Sequence, residues 1–272
     1  MKLSIAIQSL RSCGLEEAAG IATALGFEAM DLDGVMGTTL DRDGILRSDP
    51  GEVRRVKSLR LAIPNIHWTF RPGSGLPPIN DPDPSERSRK REQIKRLAEF
   101  CCEAGILSIM VLPGAFLPGQ SASEAHRLSC DALNEFLLIT QPAKVALMFE
   151  PHVGSSFESP TSAAWLAEHA SGVGICLDYS HFICLGYTVP DVDPLIPYTT
   201  HVHLRQARSG LLQTELADGT INFALVLDKL RQAGYGGYLS VEYVHQQYIG
   251  ATNVDIITET VKMRDFVRRH LP

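Results

Sequence analysis

Short apolar runs alternate with longer stretches of helical periodicity along the whole chain. Each run has the length and the β-branched or aromatic residues of a buried strand, and turn-forming residues bound it. The predicted strands are Leu3–Gln8, Ala29–Asp33, Ala62–Trp68, Ile109–Leu112, Val145–Glu150, Gly174–Asp178, Thr200–Leu204 and Tyr238–Tyr243.

Amphipathic segments between these runs predict helices. The predicted helices are Leu15–Leu25, Gly51–Leu59, Ser85–Ala104, Ala122–Ile139, Pro160–Glu168, Pro190–Ile196, Phe223–Ala233 and Val254–His270. The sixth is restricted to a turn or two, because Pro190, Pro194 and Pro197 interrupt it. Eight strands that each precede a helix are the count of an α/β protein with a single (β/α)8 TIM barrel, and residues 1–272 have the length of one such domain.

An open doubly wound sheet is the alternative to a closed barrel. That fold usually carries a glycine-rich turn, G-x-G-x-x-G, directly after its first strand. Here the first predicted strand leads into residues 9–14, in which Gly14 is the single glycine. The sequence therefore favours the closed barrel.

Four of the predicted strands carry, at or next to their carboxyl end, a side chain that binds divalent metals. These side chains are Glu150, Asp178, His203 and Glu242. Strands that alternate with helices lie parallel, so their carboxyl ends meet at one edge of the barrel. Three carboxylates and one imidazole form a hard, mostly oxygen site suited to Mn²⁺, Mg²⁺, Co²⁺ or Zn²⁺. The sequence thus predicts one bound divalent ion.

Each of these residues also has a purely structural interpretation. Glu150 and Glu242 could form ion pairs, and Asp178 could cap the helix that follows it. His201 and His203 lie on the same side of a strand, so we expect His203 near the mouth and His201 one layer lower. Taken together, the four positions favour metal ligands.

Further candidates lie near the same edge. His67 and Trp68 end the third predicted strand, where an indole forms either an apolar wall for a sugar ring or part of the core. Arg205 and Arg208 follow the seventh strand, where they bind either an anionic group of the substrate or a carboxylate of the protein surface.

Two long connections follow the third and the seventh predicted strands, and they are Arg71–Pro84 and Gln206–Ile221. In a barrel these are the positions of active-site loops, so we expect them to shape or cover the pocket, with a simple spacer as the alternative. Substrate specificity depends on such loops, and their sequences do not identify the substrate.

Composition and charge exclude several partners. A hydrophobic content of 44% and a charged content of 21% are ordinary for a globular protein. The net charge of −6 argues against duplex nucleic acid, and the basic stretch Arg87–Lys95 has the spacing of a solvated helix face. No run approaches the roughly 20 apolar residues of a membrane span, and residues 1–10 read as a strand rather than a signal peptide.

The cysteines indicate the compartment. They are Cys13, Cys101, Cys102, Cys130, Cys176 and Cys184, and none lies in a C-x-x-C pair. Most fall within apolar segments, which favours buried, reduced thiols. We therefore expect a cytoplasmic protein with neither a membrane nor a nucleic acid as its partner.

Five segments carry a family resemblance. They are Gly26–Asp33, Phe149–His152, Leu177–His181, His201–Leu204 and Ala233–Glu242. Together they resemble the xylose isomerase-like TIM-barrel superfamily, which contains sugar phosphate isomerases and epimerases and AP endonuclease family 2-like proteins. The resemblance covers almost the whole chain, but it is not specific to one substrate.

The resemblance implies roles for individual residues. It implies that the four strand-end residues bind the metal and that two of them, Glu150 and Glu242, also form the acid/base pair. His181 is then expected to touch the substrate or a second metal, and His152 is a further candidate for substrate contact.

The chain departs from xylose isomerase itself at the fifth strand. That enzyme has Glu-Pro-Lys there, and its lysine assists a hydride shift, whereas this chain has Glu150, Pro151 and His152. A hydride-shift isomerase is therefore disfavoured. The apurinic endonucleases need a histidine-rich three-zinc cluster and a DNA-binding face. This chain has only nine histidines and a net negative charge, so the apurinic endonuclease branch is disfavoured as well.

The resulting hypothesis is a divalent-metal-dependent sugar or sugar-phosphate isomerase or epimerase that transfers a proton through a metal-stabilised enediolate. A metal-dependent dehydratase acting on a hydroxy-acid ring, similar to dehydroshikimate dehydratase, is the alternative; Arg205 would then hold the carboxylate. A non-catalytic carbohydrate-binding protein is the third. The expected partner is a small carbohydrate or hydroxy acid, and a homo-oligomer is possible for barrels of this kind.

Overall fold

Eight parallel strands pair in sequence order and close into a barrel. They are β1 (Lys2–Ala6), β2 (Met30–Asp33), β3 (Ile66–His67), β4 (Ser108–Val111), β5 (Ala146–Phe149), β6 (Gly174–Asp178), β7 (Thr199–Leu204) and β8 (Tyr238–Val241). The barrel closes where β1 pairs with β8 in parallel register, from Lys2 opposite Tyr238 to Ile5 opposite Val241. This computed structural model describes residues 1–35, 39–71, 77–245 and 254–271. The predicted closed (β/α)8 barrel is confirmed.

Helices follow the strands around the barrel. They are α1 (Leu15–Ala24), α2 (Arg42–Leu46), α3 (Pro50–Lys57), α4 (Pro84–Ala104), α5 (Ala122–Thr140), α6 (Pro160–His169), α7 (Tyr179–Ile183), α8 (Val189–Val192), α9 (Phe223–Gln232) and α10 (Ile256–His270). Polar side chains fix where several of them begin, because they accept hydrogen bonds from unpaired backbone N–H groups of the first turn. Asp83 does so for α4 and Ser121 for α5.

The third strand is shorter than predicted. The sequence predicts Ala62–Trp68, but the paired strand holds only two residues, Ile66 and His67. Pro64 has no backbone N–H to donate, which interrupts the ladder there. Ala62 keeps an isolated parallel bridge to Ala29.

Three helical regions also differ from the prediction, and one of them is α7, which the sequence does not predict. The predicted helix Pro190–Ile196 is the single turn α8 followed by a 3-10 segment, Asp193–Tyr198, that contains Pro197. Proline removes the donors that a longer α-helix needs. Helix α2 is absent from the prediction; it begins after Asp41, whose side chain accepts a hydrogen bond of 2.9 Å from Gly44 N.

Side chains that point into the barrel lie in layers. Met110, Met148 and Cys176 form a buried apolar cluster. Glu150 and Asp178 stand two positions beyond Met148 and Cys176, and side chains two apart along a strand share a face. The two carboxylates therefore lie one layer closer to the carboxyl end of the barrel, where the active sites of this fold are built.

Two expectations from composition concern the outside of the barrel. The basic stretch Arg87–Lys95 lies on α4, where Arg87 and Arg89 form ion pairs with glutamates, but Lys90 is buried. All six cysteines are free thiols, of which Cys102 is exposed. Among the described residues, no helix has both the length and the apolar character needed to cross a membrane.

Candidate metal centre

The four strand-end side chains meet at the carboxyl ends of β5 to β8. One donor atom from each lies within 4.8 Å of the others, and all are buried; the residues are Glu150, Asp178, His203 and Glu242. Glu150 directly follows the last residue of β5, and Glu242 directly follows the last residue of β8. Parallel strand order thus brings together residues that lie far apart in the sequence.

His203 is at the centre of this cluster. Its Nδ1 lies 2.8 Å from Glu150 Oε1 and 3.1 Å from Glu242 Oε2. Burial by itself would lower the pKa of His203, but Cys176 and the carboxylates of Glu242 and Glu150 outweigh it and raise that pKa well above its ordinary value. Without a metal, the imidazole is therefore protonated and holds the two glutamates together.

Asp178 makes two separate contacts. Its Oδ1 accepts a hydrogen bond of 2.8 Å from Ser180 N, which caps α7, and its Oδ2 accepts one of 2.7 Å from Arg205 Nη2. Asp178 therefore does cap α7, as the structural interpretation expected, but the cap uses only Oδ1. Asp178 still offers one ligand atom to the cluster.

Arg205 lies beside the cluster rather than on the surface. Its side chain is 3% exposed, and its Nε donates to Ser180 Oγ at 2.8 Å. Burial would raise the pKa of Glu242, but His203 and then Arg205 lower it to about 2, so Glu242 is ionised at neutral pH. The guanidinium therefore offsets the negative charge of the cluster. Arg208, by contrast, is exposed.

A further buried carboxylate, Asp31, lies one layer below the cluster. His201 Nε2 donates to Asp31 Oδ2 at 2.7 Å, and the same oxygen lies 3.6 Å from His203 Nε2. Among the described residues, His203 Nε2 has no hydrogen-bond partner within bonding distance. The predicted lower position of His201 agrees with this geometry. Asp31 was missed, although Asp31 and Asp33 alternate along β2 as the two histidines do along β7.

A polar cavity opens above the cluster, with about 380 Å³ of space between atoms, part of it open to solvent. Its lining residues are Gln8, Arg11, Asp33, Val35, His67, Glu150, His152, Arg205, Glu242 and Val244. Three lining atoms are buried without a hydrogen-bond partner in the described part of the chain: Gln8 Oε1, Arg11 Nε and His67 Nε2. They can bind the hydroxyl or anionic groups of a ligand.

The titration of two lining residues follows from burial. Burial lowers the pKa of His67 to about 3, so its imidazole is neutral at pH 7. Burial also raises the pKa of Asp33 to about 6, against opposing contributions from Val35 N and Arg11. Gln8, Arg11 and Asp33 were not among the sequence candidates, and only their positions at or just beyond the ends of β1 and β2 could have pointed to them.

The predicted substrate contacts His152 and His181 lie together; His152 lines the cavity, whereas His181 is buried behind it. Their ring centroids are 4.0 Å apart, and with Glu150 they form a second group of possible ligands. His181 Nε2 lies 2.8 Å from Arg205 Nη2, and burial lowers the pKa of His181 well below its ordinary value. Trp68 is fully buried and lines a neighbouring cavity.

The donor set of the cluster fits a divalent cation. Carboxylate oxygens and an imidazole nitrogen suit the hard and borderline ions. In the metal-free protein, the positive charge of His203 balances the negative charges of Glu150 and Glu242, which both contact its Nδ1. A bound cation would replace the proton on Nδ1 and balance the same two carboxylates.

The family model described as "Xylose isomerase-like TIM barrel" matches residues 20–268. The chain therefore belongs to the xylose isomerase-like TIM-barrel family. No curated protein sequence matches it significantly.

Solved structures with the same fold cover nearly the full length of the chain. D-psicose 3-epimerase with D-tagatose, from Clostridium cellulolyticum H10, is 14% identical, with a TM-score of 0.77 over 100% of this chain and 99% of that one. The IOLI protein with a bound zinc atom is 17% identical, with a TM-score of 0.73 over 100% and 99%. The probable 3-DHS dehydratase AsbF from Bacillus anthracis is 16% identical, with a TM-score of 0.74 over 99% and 100%. At these identities the likeness shows a shared fold.

Proposed function

We propose that this protein is a divalent-metal-dependent epimerase or isomerase of a sugar or sugar derivative. Glu150, Asp178, His203 and Glu242 bind the cation, and the two glutamates also transfer the proton. The observation that carries the proposal is the contact of Glu150 and Glu242 with the same His203 nitrogen, at 2.8 and 3.1 Å. Two carboxylates from different strands thus face one point, as an acid/base pair about one substrate carbon requires.

When bound, the cation supplies a Lewis acid that polarises a carbonyl oxygen. Glu242 is ionised at neutral pH, because its pKa is lowered to about 2, and a base must be in this form. One glutamate removes the proton next to the carbonyl, which leaves an enediolate. The other glutamate delivers a proton, either to the opposite face or to the adjacent carbon.

The other cavity residues position the substrate. Gln8, Arg11 and His67 offer unpaired polar atoms above the cluster. His67 is neutral, so it donates or accepts a hydrogen bond without adding charge. Arg205 holds Asp178 in place through the 2.7 Å hydrogen bond.

The dehydratase alternative has less support. It assigns Arg205 to a carboxylate of the substrate, but the guanidinium is bonded to Asp178 and Ser180 and lies against His181. Arg11 remains as a cation that lines the cavity. A hydride-shift isomerase has less support still, because His152 stands where that enzyme has lysine.

The test begins with metal analysis of the purified protein, followed by loading with Mn²⁺, Mg²⁺, Co²⁺ or Zn²⁺. Each form is then incubated in D₂O with ketoses, their phosphates and hydroxy acids. We expect uptake of about one deuterium per turnover at a substrate carbon, without loss of water.

The outcomes separate the candidate functions. Elimination of water from a hydroxy acid would favour the dehydratase. Failure of every divalent metal to bind would overturn the proposed centre and favour a carbohydrate-binding protein.

A further inference from the structure

An apolar chamber adjoins the polar cavity. It encloses about 740 Å³ of space between atoms, part of it open to solvent. The apolar side chains that line it are Trp68, Phe70, Pro78, Ile79, Leu112 and Val153. They come from the connections after β3, β4 and β5, so the chamber lies at the same end of the barrel as the metal centre.

Two polar side chains that line the chamber, Thr69 and Ser155, already take part in hydrogen bonds within the protein. Thr69 Oγ1 donates to Arg71 O at 2.9 Å, and Ser155 Oγ accepts from Phe157 N at 3.1 Å. A hydroxyl group moved from water into such surroundings loses its hydrogen bonds without replacement. The chamber therefore suits an apolar group and disfavours the hydroxyl-rich end of a free ketose.

The chamber and the polar cavity lie side by side. His152 lines both, and the linings meet again at the adjacent residues His67 and Trp68. His152 Nδ1 lies 2.6 Å from Val153 O, which fixes the ring at the boundary. A ligand in the polar cavity therefore lies next to the chamber, with His152 at the boundary.

The chamber walls are held in place by specific contacts. The guanidinium of Arg42 stacks on the Trp68 ring at 3.8 Å, and a Cβ added to Gly34 would lie 2.4 Å from that ring. Lys90 Nζ, itself buried, donates to Pro78 O at 2.5 Å. Such contacts indicate a preformed pocket, and preformed pockets bind ligands at a lower ordering cost.

We propose that the substrate is a sugar derivative with an apolar substituent of about the size of a phenyl ring, rather than a free ketose. This inference rests on the proposed function, because it places the sugar at the metal centre. The polyhydroxy part binds in the polar cavity, and the substituent fills the space between Trp68 and Leu112.

The experiment measures binding of matched glycoside pairs to the metal-loaded protein. The probes are the methyl and phenyl β-D-glucopyranosides and the methyl and phenyl β-D-galactopyranosides, titrated by calorimetry. We expect the phenyl member of at least one pair to bind about tenfold more tightly than its methyl partner, because the chamber removes the ring from water.

Two variants test whether the preference arises in the chamber. Leu112→Gln keeps a similar volume but adds polar atoms, and Ala115→Leu fills part of the space; both residues line the chamber and are half-buried. Each should reduce the phenyl preference to within about twofold. Leu138→Gln is the matched control, because Leu138 is 72% exposed on α5, and it should retain the wild-type preference.

Equal binding of the phenyl and methyl members by the wild-type protein would overturn the inference. So would a preference that survives in both chamber variants, or that is lost equally in Leu138→Gln. Metal stoichiometry and deuterium uptake are measured independently. If the wild-type protein shows no phenyl preference but exchanges deuterium, the chamber inference alone is rejected. If it shows the phenyl preference but binds no metal, the proposed function alone is rejected.

Discussion

His201 and Asp31 form a buried pair in which His201 Nε2 donates to Asp31 Oδ2 at 2.7 Å. The same carboxylate oxygen lies 3.6 Å from Nε2 of His203. One carboxylate on β2 therefore faces both imidazoles of β7. This arrangement directs His203 Nδ1 towards Glu150 and Glu242, because the opposite nitrogen faces Asp31.

Asp31→Asn is expected to weaken metal binding about 10- to 100-fold, since carboxylates behind a ligating histidine fix its orientation and basicity. Competition with a fluorescent chelator measures the affinity. Ser4→Ala is the control, because it removes only the 3.3 Å hydrogen bond to the other oxygen of Asp31. An unchanged metal affinity in Asp31→Asn would contradict the view that Asp31 orients His203.

Glu150→Gln and Glu242→Gln should each lower the rate of solvent deuterium exchange about 10²- to 10⁴-fold, because an amide cannot remove or deliver the proton. The rate is followed by mass spectrometry of the recovered substrate, and circular dichroism checks the fold. Glu215→Gln is the control at an exposed position. Full exchange in either site variant would remove that glutamate from the acid/base pair.

Metal binding is expected to release about one proton at neutral pH. The pKa of His203 is raised in the metal-free protein, so Nδ1 must lose its proton before it can bind a cation. Metal affinity should therefore fall as the pH is lowered, by up to about tenfold per unit. Calorimetry in buffers with different ionisation enthalpies counts the protons, and a count of zero would contradict a protonated His203.

Asp33→Asn should stabilise the metal-free protein at pH 7. Burial raises the pKa of Asp33 from 3.8 to about 6, so the folded state retains a proton that the unfolded chain has already lost. Stability therefore falls as the pH rises from 3.8 to about 6, and the variant avoids this loss. The gain in free energy of unfolding is on the order of 2 kcal/mol.

Urea denaturation in the presence of a chelator measures this difference at two pH values. The gain should be present at pH 7 and largely absent below the ordinary pKa of 3.8. Val35 N can still donate to the amide oxygen of asparagine, as it does to Asp33 Oδ1 at 2.7 Å, so the turn is retained. A destabilised variant at pH 7 would show that ionised Asp33 is well paired.

The convergence of Glu150, Asp178, His203 and Glu242 could be predicted because parallel strands leave little geometric freedom. Once eight strands and their order are recognised, the carboxyl ends must share one edge. The same reasoning placed His201 below His203, since side chains two apart share a face. Strand periodicity thus carries most of the information about the metal centre.

Other features depended on contacts between distant segments. Nothing near Arg205 in the sequence indicates its bond to Asp178, and Asp31 is recognised only once β2 and β7 face each other across the barrel. The chamber lies between three connections that have no periodic pattern. Part of the connection Arg71–Pro84, residues 72–76, lies outside the described residues, whereas Gln206–Ile221 is described throughout.

The chamber and the metal centre are built from largely different parts of the chain. Connections after β3, β4 and β5 supply the chamber, whereas β6, β7 and β8 supply Asp178, His203 and Glu242. Substitutions in the connections can therefore change the chamber while Asp178, His203 and Glu242 stay unchanged. Such a division would let descendants of one ancestral gene acquire new metabolic roles without inventing new chemistry.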